Sequence, residues 1–150
     1  ERNPEAKVCA DEGTVSELAT AGIDATAVHA GDTVDVGVEV TVFGKDHAVI
    51  HPDVPTVPNV GYLVGGRFFH PGDSFTIPDA DVEVLGLPTA APWLKVSEAV
   101  DYVRAVRPAV AVPIHEASLV TPAMVYARFE ELKPPGTALR VIDDGAPLNV

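Results

Sequence analysis

Three side chains that could carry out metal chemistry follow the ends of predicted strands. His47 comes after an alternating strand, Asp73 after the second strand of a hairpin, and His115 directly after an apolar strand. In a layered α/β sheet, such positions can converge on one rim, where ligands of open sheets usually bind. Two imidazoles and a carboxylate are a reasonable ligand set for zinc, iron or manganese. The sequence therefore predicts a metal site at these residues, with Asp73 as the first candidate for a catalytic role.

The segment that carries Asp73 is predicted to form a β-hairpin. Residues 60–64 and 67–70 are β-prone runs separated by Gly65 and Gly66, which tolerate the positive φ angles of a tight turn. The second run continues into His70-Pro71-Gly72-Asp73-Ser74, where proline and glycine end the ladder. The hairpin thus places a carboxylate at a strand end, a position at which functional residues are common.

Each candidate also has an ordinary structural interpretation. Pro-Gly-Asp-Ser is a frequent turn in which the aspartate caps its own backbone, and a single histidine near a strand end is more often a surface or core residue. The chain has no Cys-x-x-Cys pattern. His51 competes with His47 for the first ligand position, and we prefer His47 because it lies nearer the strand end.

A proline-rich loop after His47 is predicted to form one wall of the site. Prolines at 52, 55 and 58 stiffen this loop. His51 and Asn59 are candidate substrate contacts, as is Trp93, although a loop tryptophan is as often a lid packed over the core. Further candidates fall into three groups: Tyr62 for substrate contact, His70 as a hairpin residue near the site, and Asp46, Ser74 and Glu116 for orienting the imidazoles.

Composition bounds the class of protein. The chain has 150 residues, 47% of them hydrophobic, which suits one globular domain with a core. A formal charge of −12 argues against nucleic acid and anionic membrane surfaces as partners. No apolar run is long enough to span a bilayer. Because Cys9 is the only cysteine, no disulfide framework exists within the chain, and a cytoplasmic location fits best.

The remaining pattern predicts strands that alternate with helices, which is typical of an α/β fold. Helices are expected to begin at a capping box of Thr14 and Glu17, ending near Ala21, at Ser97, ending before Pro108, and at Thr121-Pro122. A turn is predicted at Asp143-Asp144-Gly145, and a C-terminal tail follows it. The other predicted strands cover residues 7–10, 25–29, 34–43, 82–87, 109–114 and 139–142.

Taken in order, these motifs resemble the C-terminal half of the metallo-β-lactamase fold. The resemblance is carried by His47 after a strand, by Gly72-Asp73-Ser74 after the hairpin, and by Val112-Pro113-Ile114-His115 after an apolar strand. More narrowly, the chain is similar to the UlaG-like, ascorbate-6-phosphate lactonase-like metal-dependent hydrolases, from residue 7 to about residue 132. The resemblance implies part of a four-layered αββα sandwich, with a mixed sheet and flanking helices.

The resemblance also implies roles for the three candidate residues. His47 would be a histidine metal ligand, Asp73 a metal-bridging carboxylate and His115 the last histidine ligand. A centre of one or two metals, most simply Zn²⁺ with Mn²⁺ or Fe²⁺ as alternatives, would activate water to hydrolyse a small molecule such as a lactone or a phosphoester.

One family motif, His-x-His-x-Asp-His, does not occur in the sequence. The chain begins with Glu1-Arg2-Asn3-Pro4 rather than with Met. The Asn3-Pro4 pair predicts a break in the chain just before a strand. We therefore expect residues 1–150 to be a single domain that forms the C-terminal portion of a larger fold. The N-terminal strands and the motif would precede it, and this chain would be inactive alone.

Two hypotheses about function follow. In the first, the chain is part of a metal-dependent hydrolase. In the second, it is a non-catalytic scaffold or dimerisation module with a degenerate or absent metal site. A half-sandwich would leave apolar sheet surface uncovered, so either hypothesis predicts a homo-oligomer or association with the missing N-terminal portion.

Overall fold

The protein is described here by a computed structural model that covers residue 3 and residues 5–142. The predicted turn at residues 143–145 lies outside the described residues, as do Glu1, Arg2 and Pro4. A small parallel sheet is formed by β1 (Cys9–Ala10) and β2 (Thr26–Ala27), which are joined by helix α1 (Glu12–Thr20). These elements precede a larger sheet, which carries the candidate residues.

The larger sheet has seven strands in chain order and is mixed. Its first four strands pair antiparallel: β3 (Thr33–Asp35), β4 (Glu39–Phe43), β5 (Gly61–Val64) and β6 (Phe68–His70). The next three continue in parallel: β7 (Val84–Pro88), β8 (Val110–Ile114) and β9 (Ala138–Leu139). Helix α2 (Val96–Val106) connects β7 to β8, and a 3₁₀ turn (Glu116–Ser118) with helix α3 (Pro122–Leu132) connects β8 to β9.

The sheet buries both of its faces. On one face, Leu63, Phe69, Leu85 and Leu87 pack in one cluster with residues of α2 and with Phe129 of α3. On the other face, Val42 and Val60 pack with Val28 beside the small sheet. Helix α1 contacts both strands of that small sheet. The layers therefore follow the order helix, sheet, sheet and helix. The predicted α/β sandwich is confirmed.

The hairpin around Gly65 and Gly66 is confirmed. Strands β5 and β6 pair antiparallel, and the two glycines have φ angles of 59° and 65°. The Arg67 N–H donates to the Val64 carbonyl at 3.1 Å, closing the turn. Both glycines are needed here because positive φ is unfavourable for residues that have a Cβ.

The predicted single strand over residues 34–43 is wrong. The chain turns back in its middle, so β3 and β4 form a second hairpin in which Val34 pairs with Val40. Gly37 adopts φ 95°, and its N–H donates to the Asp35 carboxylate at 2.8 Å. Regular alternation of valines suits the two arms of a hairpin as well as it suits one long strand, so the pattern alone does not reveal the turn.

Two predicted helix starts are also wrong. Asp11, rather than Thr14, is the N-cap of α1, and its carboxylate accepts the Thr14 N–H at 3.0 Å and the Thr14 hydroxyl at 2.7 Å. Helix α2 begins at Val96, so Ser97 lies inside it. The start of α3 at Pro122 is confirmed, as is the end of α1 before Gly22. In the described part of the chain, no helix has both the length and the hydropathy needed to cross a bilayer.

Candidate metal-binding site

His47 lies on a backbone extension of strands β4 and β5. After β4 the chain turns at Gly44, whose φ is 77°. The His47 N–H donates to the Val57 carbonyl at 2.9 Å, and the Asn59 N–H donates to the Lys45 carbonyl at 3.0 Å. Residues 45–47 thus run alongside residues 57–59, and an isolated bridge joins Asp46 to Pro58. His47 is held by these backbone bonds even though a long loop follows it.

Asp73 is fixed by two neighbouring segments. The Asn59 side chain accepts the Asp73 N–H at 2.8 Å and donates to the Pro71 carbonyl at 2.9 Å. The Ala48 N–H donates to the Asp73 carbonyl at 2.8 Å. Both backbone polar groups of Asp73 are therefore satisfied, and the position from which its carboxylate extends is set by the His47 segment and by Asn59.

Gly72 makes the Asn59 contact possible. Its φ is 66°, and a Cβ built on it would lie 2.2 Å from Asn59 Oδ1. The Ser74 hydroxyl also donates to the Pro71 carbonyl, at 3.0 Å. The turn before Asp73 therefore has room for glycine alone at residue 72.

His115 reaches the site through an unusual backbone conformation. It directly follows β8, has φ 64° and ψ 17°, and precedes the 3₁₀ turn. Few non-glycine residues adopt this left-handed conformation, and it is found disproportionately at functional sites. In this conformation the His115 imidazole lies next to the Asp73 carboxylate.

The structure brings the three predicted residues together. Asp73 Oδ2 lies 3.5 Å from His47 Nε2, and Asp73 Oδ1 lies 3.1 Å from His115 Nε2. The side chains of Asp73 and His115 are 40% and 39% exposed, whereas that of His47 is 16% exposed. One carboxylate thus contacts two imidazoles from different parts of the sheet, and the group remains accessible to small molecules.

The tautomer of His47 follows from its other nitrogen. Nδ1 lies 2.5 Å from the Ala48 carbonyl oxygen, and because a carbonyl can only accept, Nδ1 carries the proton. In the neutral ring, Nε2 then presents a lone pair towards Asp73 Oδ2. Two acceptors that face each other are stabilised by a cation or a proton between them, as in metal sites whose histidines donate their other N–H to a carbonyl.

The donor set fits a metal ion in part. Two ligands that share a tetrahedral ion at about 2.0–2.1 Å lie about 3.3–3.4 Å apart, close to the two Asp73–imidazole separations. Each histidine contacts a different oxygen of Asp73, however. Within residue 3 and residues 5–142, no three His, Cys, Asp or Glu side chains are arranged to hold an ion by themselves. The arrangement suits a bridging carboxylate whose metal positions are completed by further ligands.

The other candidates for the site have different environments. His51 is 63% exposed, and its Nδ1 accepts the Asp53 N–H at 3.1 Å within its own loop. Asn59 uses both ends of its amide on the backbone of the Asp73 turn. Of the residues expected to orient imidazoles, Asp46, Ser74 and Glu116, none has a hydrogen bond to His47 or His115 in the described structure. The Ala48 carbonyl orients His47 instead.

Trp93 and His70 support the site from its edges. Trp93 is 8% exposed, and its ring packs edge-on to His47, with the ring centroids 6.0 Å apart. His70 Nδ1 accepts the Gly72 N–H at 3.1 Å. Burial lowers the pKa of His70, and the nearby Asp73 carboxylate opposes this shift. Burial and the hydrogen bond from the Gly72 N–H both favour the neutral form of His70.

Sequence reasoning missed the positioning role of Asn59, the space restriction at Gly72 and the acceptor role of the Ala48 carbonyl. A polar amide just before a strand, opposite a Pro-Gly-Asp turn, is a weak signal for Asn59. A backbone carbonyl leaves no sequence signal, because every residue has one.

Comparison with known proteins identifies the family. Residues 7–115 match the family described as the beta-lactamase superfamily domain, and the chain belongs to this family. It is 47% identical over 141 residues to Protein Rv0786c of Mycobacterium tuberculosis. That match covers 88% of this chain and 65% of the relative, so the chain spans slightly less than two thirds of the length of that relative.

Two solved structures share the fold. Igni18, described as a novel metallo hydrolase from the hyperthermophilic archaeon Ignicoccus hospitalis, superposes with a TM-score of 0.69 at 18% identity, covering 97% of this chain and 69% of its own. A protein from Parabacteroides distasonis, assigned as a metal-dependent hydrolase, has a TM-score of 0.66 at 18% identity, covering 92% and 64%. At such low identity these matches establish the fold, and the UlaG-like grouping stays a prediction.

Proposed function

We propose that the chain provides part of the active site of a metal-dependent hydrolase, with His47, Asp73 and His115 as metal ligands. The observation that carries the proposal is the Asp73 carboxylate, with one oxygen 3.5 Å from His47 Nε2 and the other 3.1 Å from His115 Nε2. Membership in the beta-lactamase superfamily supports it. Nitrogen and carboxylate donors favour Zn²⁺, with Mn²⁺ or Fe²⁺ as alternatives.

The chemistry divides between the metal and this chain. A divalent metal bound there would lower the pKa of its water to about 7 and would polarise the substrate oxygen. The Ala48 carbonyl keeps the proton of His47 on Nδ1, which leaves the lone pair of Nε2 available to bind a metal. Asn59 and Ala48 hold Asp73 in place, and Trp93 shields one side of the His47 ring.

The proposed site is incomplete with three ligands. We propose that further ligands come from a preceding portion of a longer protein, and that this chain is inactive alone. A second copy of the chain is the alternative source. The proposed substrate is a small molecule such as a lactone or a phosphoester, in keeping with the UlaG-like resemblance, and the proposed location is the cytoplasm. A formal charge of −12 disfavours nucleic acid and anionic membranes as partners.

The test is metal content per chain, measured by elemental mass spectrometry on protein purified without chelators. We expect the double variant Asp73→Ala/His115→Ala to lose more than about tenfold in metal affinity, since even the loss of an outer partner typically costs about 10–100-fold. The matched control is His51→Ala/Asp53→Ala, which removes an exposed histidine–aspartate pair, 3.7 Å apart, that follows His47 in the chain. The control should retain the metal.

Substantial metal content that is equal in the wild type and in the site variant would show that the ligands lie elsewhere. The comparison should then be repeated in a longer protein that contains this chain, because such a protein would include the further ligands that we propose. Absence of metal from that protein as well would favour the non-catalytic scaffold or dimerisation module.

A further inference from the structure

Thr89 is a buried polar residue that directly follows strand β7, and β7 pairs with the strand that precedes His115. Thr89 is 1% exposed. Its hydroxyl and its N–H both donate to the Ile114 carbonyl oxygen, each at 3.0 Å. Ile114 is the last residue of β8 and pairs with Pro88. A single residue therefore supplies two hydrogen bonds to the carbonyl at the end of β8.

The Ile114 carbonyl belongs to the peptide group that joins β8 to His115. A peptide group is planar, so an oxygen held by two donors also restricts the N–H and the Cα of the next residue. That residue is His115, whose φ of 64° lies in the left-handed region. A residue with a Cβ keeps such a conformation only when the surrounding structure over-determines it. The two bonds from Thr89 supply part of this restraint.

The position of the His115 imidazole depends on this restraint. His115 Nε2 lies 3.1 Å from Asp73 Oδ1, although the His115 side chain is 39% exposed. A side chain that is exposed to this degree is held less by the packing around it than by the backbone from which it extends. The contact with Asp73 therefore requires that the backbone at His115 be fixed.

Burial alone does not require a hydroxyl at residue 89. The Thr89 N–H already gives the Ile114 carbonyl a hydrogen-bond donor. A valine of nearly the same shape would have no polar side-chain group in need of a partner. The Thr89 hydroxyl thus adds a second restraint to a carbonyl whose hydrogen-bonding requirement is already met.

We propose that Thr89 is a positioning residue, which holds the Ile114–His115 peptide group and thereby keeps His115 against Asp73. The inference rests on the proposed function and deepens it, because His115 is the proposed last ligand and Asp73 the proposed bridging carboxylate. Thr89 acts through the backbone and is not itself a ligand.

Thr137 provides a matched control at the opposite end of β8. It is also a buried threonine, 4% exposed, and its hydroxyl donates to the Pro108 carbonyl at 2.6 Å. Pro108 precedes β8, whereas Ile114 ends it. Thr89→Val and Thr137→Val therefore remove the same kind of bond at the two ends of one strand, and only Thr89→Val does so next to His115.

The first readout is the NMR signals of the histidine rings, recorded on metal-free protein at one fixed pH. We expect Thr89→Val to move the His115 signals towards those of His51, which is 63% exposed, because the His115 ring leaves the carboxylate. Thr89→Ser keeps the hydroxyl and should keep the wild-type signals of His115. Thr137→Val should leave them unchanged. Circular dichroism checks that each variant is folded.

A second pair of variants carries the test if Thr89→Val does not fold. Thr89→Ser and Thr89→Ala both lack the threonine methyl group and differ from each other only in the hydroxyl. The His115 signals of Thr89→Ala should differ from those of Thr89→Ser in the direction expected for loss of the contact with Asp73.

The second readout is the affinity for Zn²⁺, measured by equilibrium dialysis. Thr89→Val should lower this affinity by about tenfold, the lower end of what the loss of a partner outside the ligand set typically costs. Thr89→Ser and Thr137→Val should bind Zn²⁺ about as tightly as the wild type.

Three results would overturn the inference. The first is that the His115 signals do not change when the hydroxyl is removed. The second is that Thr137→Val moves them as much as Thr89→Val, because the cause would then be a general loosening of the sheet. The third is that Thr89→Ser behaves like Thr89→Val, because the shape of residue 89 would then matter rather than its hydroxyl.

A failure of the proposed function gives a different result. In that case, neither the chain nor a longer protein that contains it binds Zn²⁺, and the ring signals of the metal-free protein still decide the role of Thr89. If Thr89→Val instead moves the His115 signals without changing the affinity for Zn²⁺, the positioning role is supported and the proposed role of His115 as a ligand is wrong.

Discussion

The antiparallel and parallel halves of the seven-stranded sheet differ in how deeply they are buried, although they share strand β6. In the parallel half, all five residues of β7 are buried, and Leu85 and Leu87 pack in the cluster that includes α2 and Phe129. In the antiparallel half, the tip of the β3–β4 hairpin leaves Val36 and Val38 43% and 42% exposed.

The candidate site draws on both halves. His47 follows the antiparallel strand β4, His115 follows the parallel strand β8, and Asp73 follows the shared strand β6. The difference between the halves teaches that stability and site geometry have separate sources. We expect the more deeply buried half to contribute most of the stability, whereas the turn at the boundary between the halves sets the position of the carboxylate.

The largest expected effect comes from truncating one fully buried side chain in each half. Leu85 and Val42 are both 0% exposed. Leu85→Ala should lower the free energy of unfolding by about 2–5 kcal/mol, because it leaves a cavity in the large cluster. Val42→Ala removes less and should cost about 1.5 kcal/mol. Urea unfolding measures both, and an equal or larger loss for Val42→Ala would mean that the halves do not differ in this way.

An intermediate effect is expected at the boundary turn. Gly72→Ala should cost about 1–2 kcal/mol from the left-handed backbone alone, and the clash of the new Cβ with Asn59 adds to this. In the double variant Gly72→Ala/Asn59→Ala the clash is relieved, so the combined loss should be smaller than the sum of the single losses. A double-mutant cycle from urea unfolding measures this coupling, and additive losses would contradict the contact.

The smallest effect concerns His70, the last residue of the shared strand. Its pKa is lowered in the folded protein by burial, so below a pH of about 6.5 the unfolded state binds more protons than the folded state. The contribution to stability is therefore present at neutral pH and lost as the pH falls. His70→Asn keeps an acceptor for the Gly72 N–H but cannot titrate, and should lose less stability than wild type between pH 7 and pH 5.

NMR titration of the His70 ring is the direct measurement. A pKa at or above the ordinary value of about 6.5 would contradict burial as the controlling influence. Identical pH dependence of unfolding in wild type and His70→Asn would do the same. His51, which is 63% exposed, provides a reference histidine in the same spectrum.

Much of the fold was predictable because local chemistry agreed with tertiary structure. Gly65 and Gly66 required positive φ and formed the expected turn, and Pro122 began α3. Prediction failed where two structures suit the same pattern. Alternating valines allowed one strand or two, and the choice depended on Gly37 and the bond to Asp35. Similarly, Asp11 and Thr14 are both good N-caps, and only the structure shows which of them begins α1.

The sequence predicted which residues form the candidate site, but it did not predict the contacts that hold them in place. Strand ends identified His47, Asp73 and His115, and the structure places both histidines in contact with Asp73. Their roles as ligands stay predictions. The choice of His47 over His51 depended on proximity to the strand, whereas the contacts of Asn59 depend on pairing between distant segments. Such contacts have no local signature, because they arise only when the sheet has formed.

The order of strand pairings has a consequence for how the chain folds. His47 is linked to Asp73 by antiparallel neighbours, while Asp73 is linked to His115 through the β6–β7 and β7–β8 parallel pairings, each of which requires a crossover connection. Pairings between distant segments form slowly, because loop closure precedes the contacts that reward it. We therefore expect the contact between Asp73 and His47 to form early in folding and the contact between Asp73 and His115 to form late. The complete set of three side chains would then be assembled only in a late stage of folding.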